Sequence, residues 1–162
     1  MRIGLIGVGR IGAFHADTLS GLDAVDSLVV TDAVPAVTAS VAERFGAEAA
    51  ESPEALIKAG VDGIVIAAAT DAHLALITAG VDAGIPVFCE KPLSGVVADA
   101  VAIADHVHSS GVPVQIHLSK SPFSKFTSGD APVKLWKRND GIATSKPDWP
   151  PSPIIVFFHS FW

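Results

Sequence analysis

Short apolar runs alternate with longer amphipathic segments along the first 118 residues of the chain. The apolar runs predict β-strands at 2–7, 27–31, 63–68, 86–89 and 112–117. The segments between them predict helices at 10–20, 35–45, 53–59, 71–83 and 96–108. Apolar strands that alternate with helices of this length are typical of βαβ units. The pattern therefore predicts an α/β fold, a doubly wound parallel sheet covered by helices on both faces.

This pattern stops after residue 118. Residues 1–118 contain 23 alanines and residues 119–162 contain two, whereas all three tryptophans and six of the eleven prolines lie in the later part. We expect one domain at 1–118 and an irregular tail at 119–162, in which only Ile154–Phe158 has the character of a strand. The tail is either a natural extension or a segment foreign to the domain, produced by a shifted reading frame, a retained intron or a wrongly drawn gene end.

Composition and charge narrow the classes of function. With 49% hydrophobic and 17% charged residues, the chain has the composition of a folded globular protein. Its net charge of −6 argues against nucleic acid as a partner. No apolar run reaches the roughly 18–20 residues of a membrane helix. The single Cys89 excludes an internal disulfide and a multi-cysteine zinc site, so we expect a cytoplasmic protein without a metal.

A glycine-rich turn joins the first predicted strand to the first predicted helix. It reads Gly7-Val8-Gly9-Arg10-Ile11-Gly12. Gly7 permits a tight turn, Gly9 lets the backbone approach a pyrophosphate, and Gly12 lets the helix pack close to the strand. The free N–H groups of Arg10, Ile11 and Gly12 then face the anion at the positive end of the helix. In this context the turn predicts a dinucleotide-binding loop, the signature of a Rossmann fold.

Asp32 lies twenty residues past Gly12, at the end of the second predicted strand. A carboxylate in this position can accept hydrogen bonds from both ribose hydroxyl groups. Its negative charge would repel a 2′-phosphate. The sequence therefore predicts NAD as the cofactor in preference to NADP.

Glu90, Lys91 and Pro92 follow the predicted strand at 86–89. Two opposite charges beside a proline are compatible with a solvated surface turn, and an exposed pair of this kind contributes little energy. They are also compatible with a catalytic lysine at the carboxyl edge of the sheet, where ligands bind in doubly wound folds. The residues alone leave both interpretations open.

Three motifs in this order resemble the glucose–fructose oxidoreductase / inositol dehydrogenase family (Gfo/Idh/MocA). They are GVGRIGAFHA at 7–16, AATDAHLAL at 68–76 and CEKPLS at 89–94. The resemblance covers about residues 1–118, and the Glu-Lys-Pro sequence is its most specific part. It implies that this segment is the N-terminal Rossmann domain of an NAD-dependent oxidoreductase that acts on a sugar or polyol such as inositol.

The resemblance also implies roles for single residues. Lys91 is the candidate catalytic residue, because the lysine of this motif reaches the nicotinamide ribose and the substrate hydroxyl group. Glu90 is expected to help hold the nicotinamide end, and Pro92 to stiffen the turn, with a cis bond as one possibility. A cation at position 91 would stabilise negative charge on the substrate oxygen.

Thr70 and His73 match the segment that follows the middle strand in the family, so they are candidates for cofactor binding. Many members have a proline where this chain has Asp71, which weakens the match of Thr70. His73 can equally serve as a structural residue at the start of its helix. His15 is expected to be structural. The remaining histidines of residues 1–118 have no spacing typical of metal ligands: His106, His108 and His117.

We expect no counterpart of the family's second domain in residues 119–162. That domain supplies the substrate pocket and an Asp and His pair, of which the His is the usual general base, and 44 residues cannot build it. We therefore expect an NAD(H)-binding domain with little or no activity of its own, which needs a second domain to take a sugar or polyol substrate. The alternative is a nucleotide-binding sensor or a partner subunit without catalysis. The sequence leaves the substrate and the oligomeric state open.

Overall fold

The computed structural model describes residues 1–119, 134–136 and 154–159. The strands are β1 (Arg2–Ile6), β2 (Ser27–Thr31), β3 (Glu48–Ala49), β4 (Gly63–Ile66), β5 (Val87–Cys89), β6 (Val114–Ser119), β7 (Lys134–Trp136) and β8 (Ile154–His159). The helices are α1 (Arg10–Ser20), α2 (Pro35–Phe45), α3 (Pro53–Lys58), α4 (Thr70–Asp82) and α5 (Val97–Ser110). None of these helices combines the length and apolarity needed to cross a membrane.

The strands form a parallel sheet in the order β3-β2-β1-β4-β5-β6-β8-β7. The chain runs outward from β1 to β3, returns to place β4 on the other side of β1, and then runs outward again. The order in which successive strands are added therefore reverses between β1 and β4, and in doubly wound folds ligands bind beyond the carboxyl ends of the strands at this point. This order confirms the predicted doubly wound Rossmann sheet.

Two apolar cores lie on opposite faces of the sheet. Helices α1 and α2 cover one face, where Ala16 and Val41 pack with Leu5 and Val30. Helices α3, α4 and α5 cover the other face, in a core that includes Leu56, Ile66, Ile77 and Ile103. Because both faces are buried, the strands read as continuous apolar runs and do not alternate with polar residues.

The predicted elements of residues 1–118 are all present, with boundaries shifted by up to two residues. Ser52 caps α3, since its hydroxyl accepts a hydrogen bond from the backbone N–H of Ala55 at 3.2 Å. The prediction missed strand β3, whose two residues pair with Val29 and Val30. Both residues of β3 are exposed, so no apolar pattern identifies the strand.

The tail lies largely outside the described residues. For residues 120–133, 137–153 and 160–162, which lie outside the described residues, the predicted irregular character stays a prediction. The predicted strand at Ile154–Phe158 is present as β8, which pairs with β6 in parallel register, Val114 opposite Ile154. Strand β7, which the sequence did not predict, pairs with the other side of β8. The sheet is thus extended beyond the six strands that residues 1–118 provide.

Candidate functional site

The glycine turn contacts the ends of three strands. Gly7 follows β1 with a φ of +85°, a conformation that L side chains rarely adopt. Its N–H donates to the carbonyl oxygen of Thr31 at 2.8 Å. A Cβ on Gly7 would overlap the backbone of Ala68, just beyond β4. The turn therefore sits at the carboxyl edge where β1, β2 and β4 end.

Gly12 and Gly9 lack a side chain for different reasons. A Cβ on Gly12 would overlap the carbonyl oxygen of Gly7, so close packing of α1 on the turn excludes any larger residue. A Cβ on Gly9 would meet no atom within 4 Å, and the φ of Gly9 is −64°. The fold itself does not require glycine at position 9. The open space in front of it is available for a ligand to approach the backbone.

The start of α1 presents backbone donors to this space. Gly9 is the N-cap residue, and no side chain caps the helix. The first turn of α1 also contains no acidic residue. Arg10 and Ile11 are exposed. The N–H groups of the first helical turn have no partner within an α-helix, and the helix dipole makes this end positive. The arrangement suits an anionic group such as a phosphate.

Asp32 lies directly beside the glycine turn. Its Oδ2 accepts a hydrogen bond from the backbone N–H of Val8 at 2.8 Å, and its Oδ1 accepts one from Val34 at 3.0 Å. A carboxylate offers about four acceptor positions, so both oxygens can accept further donors. The side chain is half-buried and next to the open space at Gly9. Asp32 thus has free acceptor positions beside the glycine turn.

The Glu90-Lys91-Pro92 turn leaves β5 at the same edge. The N–H of Glu90 donates to the carbonyl oxygen of Ile66 at 2.8 Å, and the Lys91–Pro92 peptide bond is cis. Lys91 is exposed. The carbonyl oxygen of Pro92 lies 2.8 Å from Nδ1 of His73. The turn is therefore fixed to the sheet at one end and to α4 at the other.

His73 is 1% exposed, and its second ring nitrogen lies 3.0 Å from the carbonyl oxygen of Ala68. Both ring nitrogens thus face protein carbonyls, which gives His73 the position of a support for the turn. Its contact with a cofactor stays a prediction. Thr70, the other candidate of this segment, is half-buried at the first position of α4.

The Glu90 carboxylate joins two histidines that the sequence did not identify as functional. Its Oε1 lies 2.7 Å from Nε2 of His15 on α1 and 2.9 Å from Nδ1 of His117 on β6. Its Oε2 lies 3.3 Å from the backbone nitrogen of Lys91. We call His15, Glu90 and His117 the Glu90 cluster. A signal for His117 was present in the sequence, because a residue at the end of a parallel strand lies at the carboxyl edge.

The cluster controls the ionisation of Glu90. Burial raises the pKa of Glu90, but hydrogen bonds from His117 and His15, together with their charges, outweigh burial and leave the pKa below its ordinary value of 4.5. The carboxylate is therefore ionised near neutral pH. An ionised carboxylate only accepts hydrogen bonds, so each imidazole donates to it, His15 through Nε2 and His117 through Nδ1.

A group of three or more His, Cys, Asp or Glu side chains that could hold a metal ion is absent from the described part of the chain. The chemistry at the edge is that of anion binding, hydrogen bonding and one exposed ammonium group, Lys91. This set of groups fits a phosphate-containing ligand with ribose hydroxyl groups.

Comparison with known proteins points to the same ligand. The profile of the Gfo/Idh/MocA oxidoreductase family, an NAD-binding Rossmann fold, matches residues 1–118. The chain is 40% identical over 115 residues to inositol 2-dehydrogenase 1 of Saccharopolyspora erythraea, a match that covers 68% of this chain and 34% of that protein. The chain thus spans about a third of the length of the curated relatives it matches.

Solved structures resemble the fold over a similar share of the chain. A putative myo-inositol dehydrogenase from Sinorhizobium meliloti 1021 superposes with a TM-score of 0.68 at 34% identity, covering 72% of this chain and 35% of that one. GenD2 from gentamicin A biosynthesis, in complex with NAD, superposes with a TM-score of 0.67 at 27% identity, covering 72% and 34%. The likeness therefore extends over about a third of each of these proteins.

Substitution of the two glycines should separate binding from folding. Gly9→Ala should leave the thermal midpoint near that of the wild type, because its Cβ meets nothing, but should weaken NAD binding at least about tenfold. Gly12→Ala should destabilise the fold by about 1–3 kcal/mol, because overlap with Gly7 outweighs the roughly 1 kcal/mol that alanine gains in a helix. Calorimetry of unfolding and of NAD binding measures both effects.

Gly21→Ala, at the other end of α1, is the matched control and should change neither quantity, since its Cβ makes only ordinary contacts. Unimpaired NAD binding by Gly9→Ala would contradict the role given to the open space.

Glu90 should make the stability of the protein depend on acid pH. Because its pKa is lowered in the folded state, its stabilisation is complete above the ordinary value of 4.5 and is lost as the pH falls through the folded-state pKa. The free energy of unfolding of the wild type should therefore drop more steeply below about pH 4.5 than that of Glu90→Gln. Urea unfolding of both proteins from neutral pH to about pH 3.5 tests this. If the free energy of unfolding falls with pH in parallel for the two proteins, the cluster does not lower the pKa of Glu90.

Proposed function

The chain belongs to the Gfo/Idh/MocA oxidoreductase family, and we propose that it is the cofactor half of an NAD-dependent dehydrogenase for a sugar or polyol such as inositol. Residues 1–118 are the NAD-binding Rossmann domain of the family. The substrate and the catalytic competence of the chain are the proposed part.

One observation carries the proposal: direct contacts join all the ligand-facing motifs at one edge. Val8 of the glycine turn donates to Asp32 at 2.8 Å, and His15 of the adjoining helix contacts Glu90 at 2.7 Å. Lys91 follows Glu90 in the chain. A dinucleotide needs neighbouring sites for its phosphates, its ribose and its nicotinamide. The two contacts support such an arrangement, because they join the glycine turn to Asp32 and the adjoining helix to the Glu90-Lys91 turn.

The residues of the turn fit the adenosine and pyrophosphate parts of NAD. The N–H groups of Arg10, Ile11 and Gly12 would hold the pyrophosphate, with Gly9 leaving room for it. Asp32 would accept the ribose hydroxyl groups, and its charge disfavours the 2′-phosphate of NADP. When bound, NAD accepts a hydride from the carbon of an alcohol.

Lys91 is the proposed catalytic residue. Its ammonium would contact the nicotinamide ribose and stabilise negative charge on the substrate oxygen. Glu90 would serve the nicotinamide end by fixing the turn, since its Oε1 already accepts from two imidazoles. Thr70 and His73 flank the same end and remain proposed contacts there, with His73 acting at least through its hydrogen bond to Pro92.

We further propose that residues 1–118 form one domain and that the substrate pocket and the general base come from a second domain. The relatives, about three times as long as the match, support this division. The exposed position of Lys91 also supports it, because a catalytic lysine must be covered before water is excluded from its substrate.

The test compares the purified chain with the same chain joined to the second domain of an inositol dehydrogenase relative. NAD binding by both is measured by calorimetry, and formation of NADH is followed with inositol and a panel of sugars. The proposal expects NAD binding in both proteins and oxidation of a polyol or sugar by the joined protein. NAD binding without any oxidation by the joined protein would favour a sensor or partner subunit.

Cofactor preference should depend on Asp32. NAD should bind more tightly than NADP by roughly 1–3 kcal/mol, from ribose hydrogen bonds and repulsion of the 2′-phosphate, and Asp32→Ala should narrow this difference. Titration calorimetry with both dinucleotides measures it. Asp17→Ala, an exposed carboxylate on α1, is the control that should leave the ratio unchanged. Equal affinities in the wild type would refute the assignment.

Lys91→Ala should weaken binding of NAD and ADP-ribose by about 0.5–1.5 kcal/mol, the net value of one hydrogen bond, because both ligands contain the second ribose. ADP, which lacks that ribose, should bind as before. Lys58→Ala is the matched control, since Lys58 ends α3 at the opposite edge of the sheet. In the joined protein Lys91→Ala should reduce turnover far more than NAD affinity. An unchanged affinity and turnover would make the turn an ordinary surface feature.

A further inference from the structure

The Glu90 cluster links the helix that follows the phosphate turn to the turn that carries Lys91. His15 lies in the second turn of α1, His117 near the end of β6, and Glu90 at the end of β5. The three side chains are 17%, 23% and 14% exposed. A partly shielded carboxylate with two imidazole donors is a specific hydrogen-bonded network, unlike an exposed surface ion pair.

Phe88 fixes the orientation of both imidazoles. Its ring centroid lies 5.7 Å from that of His15 in an edge-on arrangement, and 5.9 Å from that of His117. The two histidines therefore pack on one aromatic ring while they donate to one oxygen atom. This packing restricts rotation of the imidazoles, so the position of the Glu90 carboxylate is determined by two elements distant in sequence.

The second oxygen of Glu90 extends this restraint to the neighbouring residue. Oε2 lies 3.3 Å from the backbone nitrogen of Lys91. Because the carboxylate is held from two sides through Oε1, it can restrain the backbone from which the Lys91 side chain projects. Removal of either histidine would leave Oε1 with a single imidazole donor and weaken this restraint on the carboxylate.

We propose that His15 and His117 are positioning residues, which act through Glu90 to hold Lys91 at the nicotinamide end of the bound dinucleotide. The proposal rests on the function proposed above for Lys91. It assigns to the cluster a specific effect on one end of the ligand. A purely structural cluster would instead lower stability and weaken every ligand alike.

The test uses ligands that differ at the nicotinamide end. His15→Ala and His117→Ala should each raise the dissociation constants of NAD and ADP-ribose about three- to tenfold and leave that of ADP within about twofold. His106→Ala is the matched control, because His106 makes a similar contact with a carboxylate, Asp82, at 2.9 Å on the outer surface. It should change none of the three constants.

Amide substitutions test the geometry without loss of a polar side chain. The nitrogen of Asn is attached at the same position as Nδ1 of His, whereas that of Gln lies further out, near Nε2. His117→Asn and His15→Gln should therefore keep the wild-type ratio of NAD to ADP affinity, and His117→Gln and His15→Asn should lose it. This reversed pattern between the two sites provides the test even where the alanine variants fold poorly.

A double-mutant cycle shows whether the histidines act through Lys91. In the Lys91→Ala background, His117→Ala should have little further effect on NAD affinity. Additive effects, or equal losses for NAD, ADP-ribose and ADP, would overturn the proposal. Absence of NAD binding in the wild type, or an unaffected Lys91→Ala variant, would instead contradict the proposed function itself, so the two failures are distinguishable.

Discussion

Close packing at the end of β1 is the constraint on which the site depends. The backbone of Gly7 lies against Ala68, and Gly12 lies against the carbonyl of Gly7, with no room for a Cβ at either position. These contacts set the distance between β1, β4 and the first turn of α1. They therefore place the positive end of the helix over the crevice where the strand order reverses. A larger residue at either glycine would move the helix away from the site.

The turn after β5 depends on a second, polar set of contacts. Glu90 is held by histidines from α1 and β6, while Pro92 is held by the buried His73 from α4. A carboxylate that is mostly shielded from water is costly unless its oxygens accept hydrogen bonds, and here both do. The exposed Lys91 lies between these two supports. An exposed ammonium group is thus carried by a backbone that is held on both sides, which suits the catalytic role proposed for Lys91.

Within the glycine turn, the residue that faces open space and the residue that the packing requires are different glycines. Gly9 faces open space, whereas Gly12 packs against the carbonyl oxygen of Gly7, although both belong to one short motif. Asp32 accepts a hydrogen bond from the glycine turn and retains acceptor capacity for the proposed ribose contact. The carboxylate is therefore oriented before a ligand arrives, and a preorganised acceptor loses less entropy on binding.

Local sequence patterns predict the longer strands of residues 1–119, the helices between them, the glycine turn and the positions of Asp32 and Lys91 at one edge of the sheet. These follow from local periodicity and from the rule that loops after parallel strands meet at their carboxyl ends. Only the tertiary structure decided the partners of Glu90, which are 75 and 27 residues distant along the chain. It also decided the burial of His73 and the pairing of β3. Hydrogen-bond partners depend on distances set by strand order and helix packing, and no local pattern in a single sequence contains those distances.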